Sequence, residues 1–64
     1  MIRFIYKGVS TDRDVEPIVY TVSAEAAEIA GWGRGVTVDT CQTSQTTWTI
    51  TANGETVKAE TIES

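Results

Sequence analysis

The chain has 64 residues, with 5 Lys or Arg, 9 Asp or Glu and a formal net charge of −4. This length predicts one domain over residues 1–64, and the absence of His together with a single Cys excludes the usual zinc sites, Ser-His-Asp triads and an internal disulfide. No apolar run approaches the ~18 residues of a membrane span, and the acidic balance argues against direct nucleic-acid binding. The composition therefore predicts a cytoplasmic, non-enzymatic protein without a cofactor or a bound metal.

The N-terminal half begins with a strand pattern. Eleven Thr, seven Val and six Ile favour a β-rich fold, and residues 1–7 alternate with Ile2, Phe4 and Tyr6 on one face. Residues 8–14 are rich in Gly, Ser and Asp, which predicts a turn. Pro17 has no N–H to donate, so a second strand is predicted over residues 16–22, beginning near Pro17 and placing Ile18, Tyr20 and Val22 on one face.

A short helix is predicted next, over residues 24–30. Ser23 is a favoured N-cap, and Gly31 suits the left-handed position that ends a helix. Ala26, Ile29 and Ala30 share one side of this helix. Because a helix of about two turns is not stable alone, its alanine-rich face must pack on the sheet.

The C-terminal half carries the strongest hairpin signal, Asn53-Gly54, because a type I′ turn needs positive φ at both central residues. A two-residue loop places Ile50 opposite Val57 and Trp48 opposite Ala59, on one apolar face. Thr47, Thr49, Thr51, Thr56, Lys58 and Glu60 then form the polar face. This face is either solvated or a surface for a partner.

The remaining strand is predicted over residues 36–41. A three-residue loop over residues 43–45 keeps Val36 and Val38 on the apolar face, with Val38 opposite Ile50, whereas a two-residue loop would not. The fold class is therefore α+β: an antiparallel sheet of four to five strands with one short helix packed on one face, in the order β-β-α-β-β-β. Glu63 and Ser64 are predicted to be disordered.

The opposite face of the sheet is predicted to collect a few apolar residues: Ile5, Val9, Val19 and Ile62. They are either ordinary surface residues or a second buried face against another copy or a partner. Cys41 has no neighbouring His or base that would activate it, so it is predicted to be a small, half-buried side chain.

The glycine-rich segment Gly31-Trp32-Gly33-Arg34-Gly35 is the most unusual motif. Trp and Arg are the residue types that anchor protein interfaces, which makes Trp32 and Arg34 candidate partner contacts. The spacing does not fit a phosphate-binding loop. Alternatively, Trp32 follows the helix end at the position where a Schellman motif packs a hydrophobic side chain back on the last turn.

Three carboxylates alternate at Asp12, Asp14 and Glu16. An extended backbone would align them on one side, as in the opening of a calcium loop. Pro17 and Ser23 occupy the positions where such a loop requires Gly and Glu, so the pattern does not indicate a metal site. The three residues are instead predicted to supply negative charge that steers the protein towards a basic partner.

Residues 22–30 (VSAEAAEIA) follow two predicted strands and precede a predicted meander. In this motif and layout the chain resembles small bacteriophage-encoded inhibitors, among them inhibitors of host RNA polymerase and anti-CRISPR proteins of type I-F systems. The resemblance implies a single-domain protein that acts by binding. Several such proteins carry a basic binding surface whereas this chain is acidic, so none of their functional residues is carried over. Residues 52–61 separately resemble the first hairpin of streptococcal immunoglobulin-binding domains.

These observations predict a small acidic protein that occludes a basic surface of a host protein or nucleoprotein complex. Its proposed contacts are Trp32, Arg34, Asp12, Asp14 and Glu16. The alternative is a structural or assembly subunit that forms a homodimer or a larger oligomer through a strand edge or a sheet face. The sequence leaves both open.

Overall fold

The computed structural model describes residues 1–62 and shows one five-stranded antiparallel sheet with one helix. The elements are β1 (Ile2–Tyr6), β2 (Val9–Arg13), α1 (Val19–Ala30), β3 (Asp39–Gln42), β4 (Thr47–Ala52) and β5 (Glu55–Thr61). The strand order is β2-β1-β5-β4-β3, so the predicted α+β class and element order are confirmed. The predicted disorder of Glu63 and Ser64 lies outside the described residues.

The first hairpin corrects the prediction for residues 8–14. Lys7 and Gly8 both have positive φ, 50° and 79°, and form a two-residue turn of the kind that suits strand twist. All five residues of β2 then pair with β1, from Val9 opposite Tyr6 to Arg13 opposite Ile2. The segment has the polar composition of a turn because β2 is an edge strand that buries little of its surface. Only Thr11 is partly buried.

The helix begins earlier than predicted and replaces the second predicted strand. It starts at Val19 and not at residue 24, and Pro17 lies just before its first turn, where the missing N–H does no harm. Ser23 is inside the helix, not at its cap, and its Oγ lies 2.6 Å from both the Val19 carbonyl and Thr40 Oγ1. Burial of Val22 against the sheet outweighs the weak strand preference of this segment.

The helix end follows the prediction. Gly31 has a φ of 73°, its N–H donates to the Glu28 carbonyl at 3.2 Å, and the Trp32 N–H donates to the Ala27 carbonyl at 2.9 Å. These two bonds define a Schellman motif. Trp32 accordingly packs against the hydrophobic core.

The hairpin of β4 and β5 has the predicted register, with Ile50 opposite Val57 and Trp48 opposite Ala59. These four side chains are buried beneath α1 and form the core with Ile2, Phe4, Val22 and Ala26. The predicted inside and outside of this hairpin are therefore confirmed.

The third strand differs from the prediction in bounds and register. It covers Asp39–Gln42, and Thr40, not Val38, lies opposite Ile50. The loop still has three residues, but they are 44–46, because the Thr43 N–H bonds to the Thr47 carbonyl. The shift of two positions keeps the same residues facing the helix, and Val38 contacts the core from outside the strand.

Candidate functional site

Trp32, one of the two predicted anchors, is engaged within the molecule. Its indole Nε1 donates to Glu55 Oε1 at 2.9 Å, and its ring is half-buried. Arg34, the other predicted anchor, is exposed in the loop between α1 and β3. The structure thus leaves Arg34 available to a partner and gives Trp32 a structural contact.

Glu55 is the centre of a polar cluster that consists of Tyr6, Lys7, Trp32 and Glu55. Besides Trp32, its carboxylate accepts the Tyr6 hydroxyl at 2.8 Å and lies 2.9 Å from Lys7 Nζ. Hydrogen bonds from Lys7, Trp32 and Tyr6 lower the pKa of Glu55 to about 2. The cluster ties the end of the helix to β1 and β5.

The cluster is not among the predicted site residues, although the sequence contains one signal for it. The predicted register places Glu55 on the same face as Val57, and a carboxylate on an apolar face requires hydrogen-bond donors. Those donors come from residues far along the chain, so local patterns do not identify them.

We expect Trp32→Ala to reduce the free energy of unfolding by about 2 kcal/mol, roughly half the value for a fully buried aromatic residue. Arg34→Ala, the matched change in the same loop, is expected to leave stability within about 0.5 kcal/mol. Urea denaturation of both variants measures the difference. Equal stability of the two variants would show that Trp32 is not a structural residue.

The three predicted steering carboxylates are not aligned on one strand, because β2 ends at Arg13. Asp12 lies in β2 and accepts two hydrogen bonds from Arg3, at 2.9 and 3.2 Å, which lower its pKa. Asp14 and Glu16 are exposed in the connection to α1. Asp12 is therefore neutralised by an ion pair, whereas the other two carboxylates face solvent.

A group of exposed apolar side chains follows directly. Ile18 and Val19 are each 47% exposed and Tyr20 is 80% exposed. The start of the helix is fixed beside Glu16, whose carbonyl accepts the Ile18 N–H at 2.8 Å and the Thr21 hydroxyl. We call this surface the acidic–apolar patch; its residues are Asp14, Glu16, Ile18, Val19 and Tyr20.

The apolar half of this patch was missed because Ile18 and Tyr20 were predicted to share a strand face with Val22. Of these three residues only Val22 is buried in the core, because Ile18 precedes the helix and Tyr20 lies on its exposed side. In a helix over residues 19–30, Tyr20 is two positions from Val22 and therefore lies on a different side of the helix.

The sheet face away from α1 has no second layer within residues 1–62. The Thr residues of β4 alternate with buried Trp48 and Ile50 as predicted, and half-buried Ile5 lines a shallow cleft of about 160 Å³ with Thr47, Thr49, Lys58 and Glu60. Cys41 is exposed, not half-buried, because it lies opposite Thr49 on this uncovered face, in an edge strand.

The four apolar residues predicted for this face do not all lie on it. Val9 lies opposite Tyr6 and so faces the helix side of the sheet, and Val19 belongs to α1. Ile62 is half-buried, and its N–H donates to the Met1 carbonyl at 3.0 Å. A continuous second apolar face is therefore not formed.

Comparisons with protein-family models, with curated proteins and with solved structures give no match for this chain. Among the described residues, no helix has the length and apolar character needed to cross a membrane. The same residues contain no group of three or more His, Cys, Asp or Glu side chains arranged to hold a metal ion.

Proposed function

We propose that this protein is a non-enzymatic binding protein that occludes a basic surface of a macromolecular complex, with the acidic–apolar patch as its contact surface. The observation that carries this proposal is the exposure of three consecutive large apolar residues, Ile18, Val19 and Tyr20, next to the exposed carboxylates of Asp14 and Glu16. Exposed apolar groups rimmed by charge are typical of interaction sites.

The chemistry of the patch indicates the kind of partner. Tyr is a frequent interface anchor because it buries a large ring and keeps a polar tip. Asp14 and Glu16 would steer the patch towards positive potential and discriminate against acidic surfaces. The net charge of −4 acts in the same direction. The patch therefore suits a basic protein surface with an apolar recess.

The resemblance to small phage-encoded inhibitors supports the same mode of action, inhibition by steric occlusion in the host cytoplasm. Arg34 remains a proposed second contact because it is exposed. Trp32 contributes indirectly by fixing the loop that carries Arg34. Asp12 contributes less charge than the sequence suggests because Arg3 pairs with it.

A capture experiment from a bacterial lysate tests this proposal. We expect Tyr20→Ala to reduce recovery of the bound protein at least tenfold, because it removes the largest exposed ring. The double variant Asp14→Asn with Glu16→Gln is expected to weaken capture mainly at low salt, since salt screens exposed charges. Thr56→Ala, an exposed change on the other sheet face, serves as the control and is expected to behave as wild type.

The recovered protein is then purified and its affinity for each variant is measured by calorimetry. Equal affinity of wild type and Tyr20→Ala would exclude the patch as the contact surface. Capture of an acidic protein with salt-insensitive affinity would contradict the electrostatic part of the proposal.

A further inference from the structure

The strand β2 presents an open edge. It is the first strand in the order β2-β1-β5-β4-β3, and its described pairing is with β1 alone. It contains neither Pro nor Gly, and its five residues pair with β1 without a bulge. Proteins use Pro and bulges, among other devices, to prevent an edge strand from pairing with another chain. Of the remaining devices β2 carries two charged residues, Asp12 and Arg13, and Asp12 is already paired with Arg3 of β1.

The turn at Lys7-Gly8 determines which backbone groups are free. In a two-residue hairpin, the residues that flank the turn, here Tyr6 and Val9, exchange hydrogen bonds, and pairs alternate from there. Thr11 and Arg13 therefore bond to β1. The backbone N–H and C=O groups of Ser10 and Asp12 point away from the sheet.

We propose that a second copy of this chain binds this edge, with the two β2 strands antiparallel and Ser10 of one copy opposite Asp12 of the other. Each of the two symmetric pairs then exchanges both N–H···O=C bonds. Thr11 faces its own counterpart at the two-fold axis. This edge shares only Asp14 with the acidic–apolar patch, and the pairing of the two β2 strands does not depend on the proposed function.

The charges select this register over its neighbours. A shift of two residues in one direction places the Asp12 carboxylates of the two copies directly opposite each other, which is unfavourable. The opposite shift pairs Asp12 with Gly8, whose φ of 79° is not extended. In the proposed register, the turn at Lys7 and Gly8 lies beside Asp14 of the second copy, so that opposite charges approach.

The other edge is less suited to pairing. β3 has four residues, and Thr40 at its centre is bound to Ser23 of the helix. A dimer through β2 would form a continuous ten-stranded sheet with both helices on one face. Because a single edge strand buries much less than the ~1,600 Å² of a standard interface, we expect association in the micromolar range or weaker.

Analytical ultracentrifugation over a wide concentration range tests the pairing with two matched proline variants. Ser10→Pro removes an N–H that does not bond to β1, so the monomer should fold, and we expect the dimer to be lost. Gln42→Pro makes the equivalent change on β3, where neighbouring Thr43 bonds to β4. It is expected to dimerise as wild type. Circular dichroism confirms that both variants are folded.

Disulfide cross-linking tests the register in a Cys41→Ser background. Thr11→Cys is expected to form a covalent dimer at least tenfold faster than Ser10→Cys, because only position 11 meets its own counterpart, with a Cα separation of about 4.5 Å. A wild-type protein that stays monomeric at millimolar concentration, a dimer lost in Gln42→Pro but kept in Ser10→Pro, or equal cross-linking rates would each overturn the proposal.

Discussion

Phe4→Ala is expected to lower the free energy of unfolding by about 3–5 kcal/mol. Phe4 is fully buried at the centre of β1, between β2 and β5, and its removal leaves a cavity that the surrounding strands cannot fill. Since a domain of this size has a total stability of roughly 3–10 kcal/mol, the variant is expected to be largely unfolded at room temperature or close to it. Urea denaturation measures the change.

The adjacent residue provides the control. Ile5 points to the opposite sheet face and is only half-buried, so Ile5→Ala is expected to cost about 1 kcal/mol. If both variants lost the same stability, the two faces of β1 would be equally important and the assignment of the core to the helix side would be wrong.

The Glu55 cluster predicts that stability falls in acid. The pKa of Glu55 is about 2 in the folded protein and lies near 4.5 without its partners. A lowered folded-state pKa means that the stabilisation is complete above about pH 4.5 and is lost as the pH falls towards 2. The thermal midpoint is therefore expected to decrease across this window, and Trp32 fluorescence should change in the same window as its hydrogen bond to Glu55 is lost.

Glu55→Gln isolates this contribution. Near pH 7 the variant is expected to have a lower thermal midpoint than wild type, and the gap should narrow as the pH falls from 4.5 to 2. Glu28→Gln, a change at an exposed helix position, controls for the loss of a negative charge. The cluster would lose its assigned role if the two variants had the same thermal midpoint at every pH.

The parts of the fold that could be predicted are those that local chemistry determines. Positive φ at Asn53 and Gly54 sets the register of β4 and β5, and Gly31 ends the helix by the same backbone property. Both signals consist of a few adjacent residues. The fold class could be predicted because the Asn53-Gly54 turn defines one apolar sheet face and the helix that ends at Gly31 has one apolar side to cover it.

The errors arose where tertiary contacts decide the structure. β2 is polar and edge-exposed, and it is a strand because β1 offers it hydrogen bonds, not because of its own side chains. Residues 19–22 have β-branched character but are helical because the helix places Val22 in the core, against the sheet. The same error concealed the exposure of Tyr20, and with it the acidic–apolar patch.

The pairing of β1 with β5 has a consequence for how the chain folds. Each neighbouring hairpin closes over a two-residue turn, whereas β1 and β5 join segments separated by most of the sequence and lie side by side at the centre of the sheet. Closing so large a loop has an entropic cost that must be met before the β1–β5 contacts form. Folding is therefore slower in proteins whose contacts join residues distant in sequence. The two halves can dock only once β5 has been synthesised, and until then the apolar side of the β1–β2 hairpin remains open to chaperones and proteases.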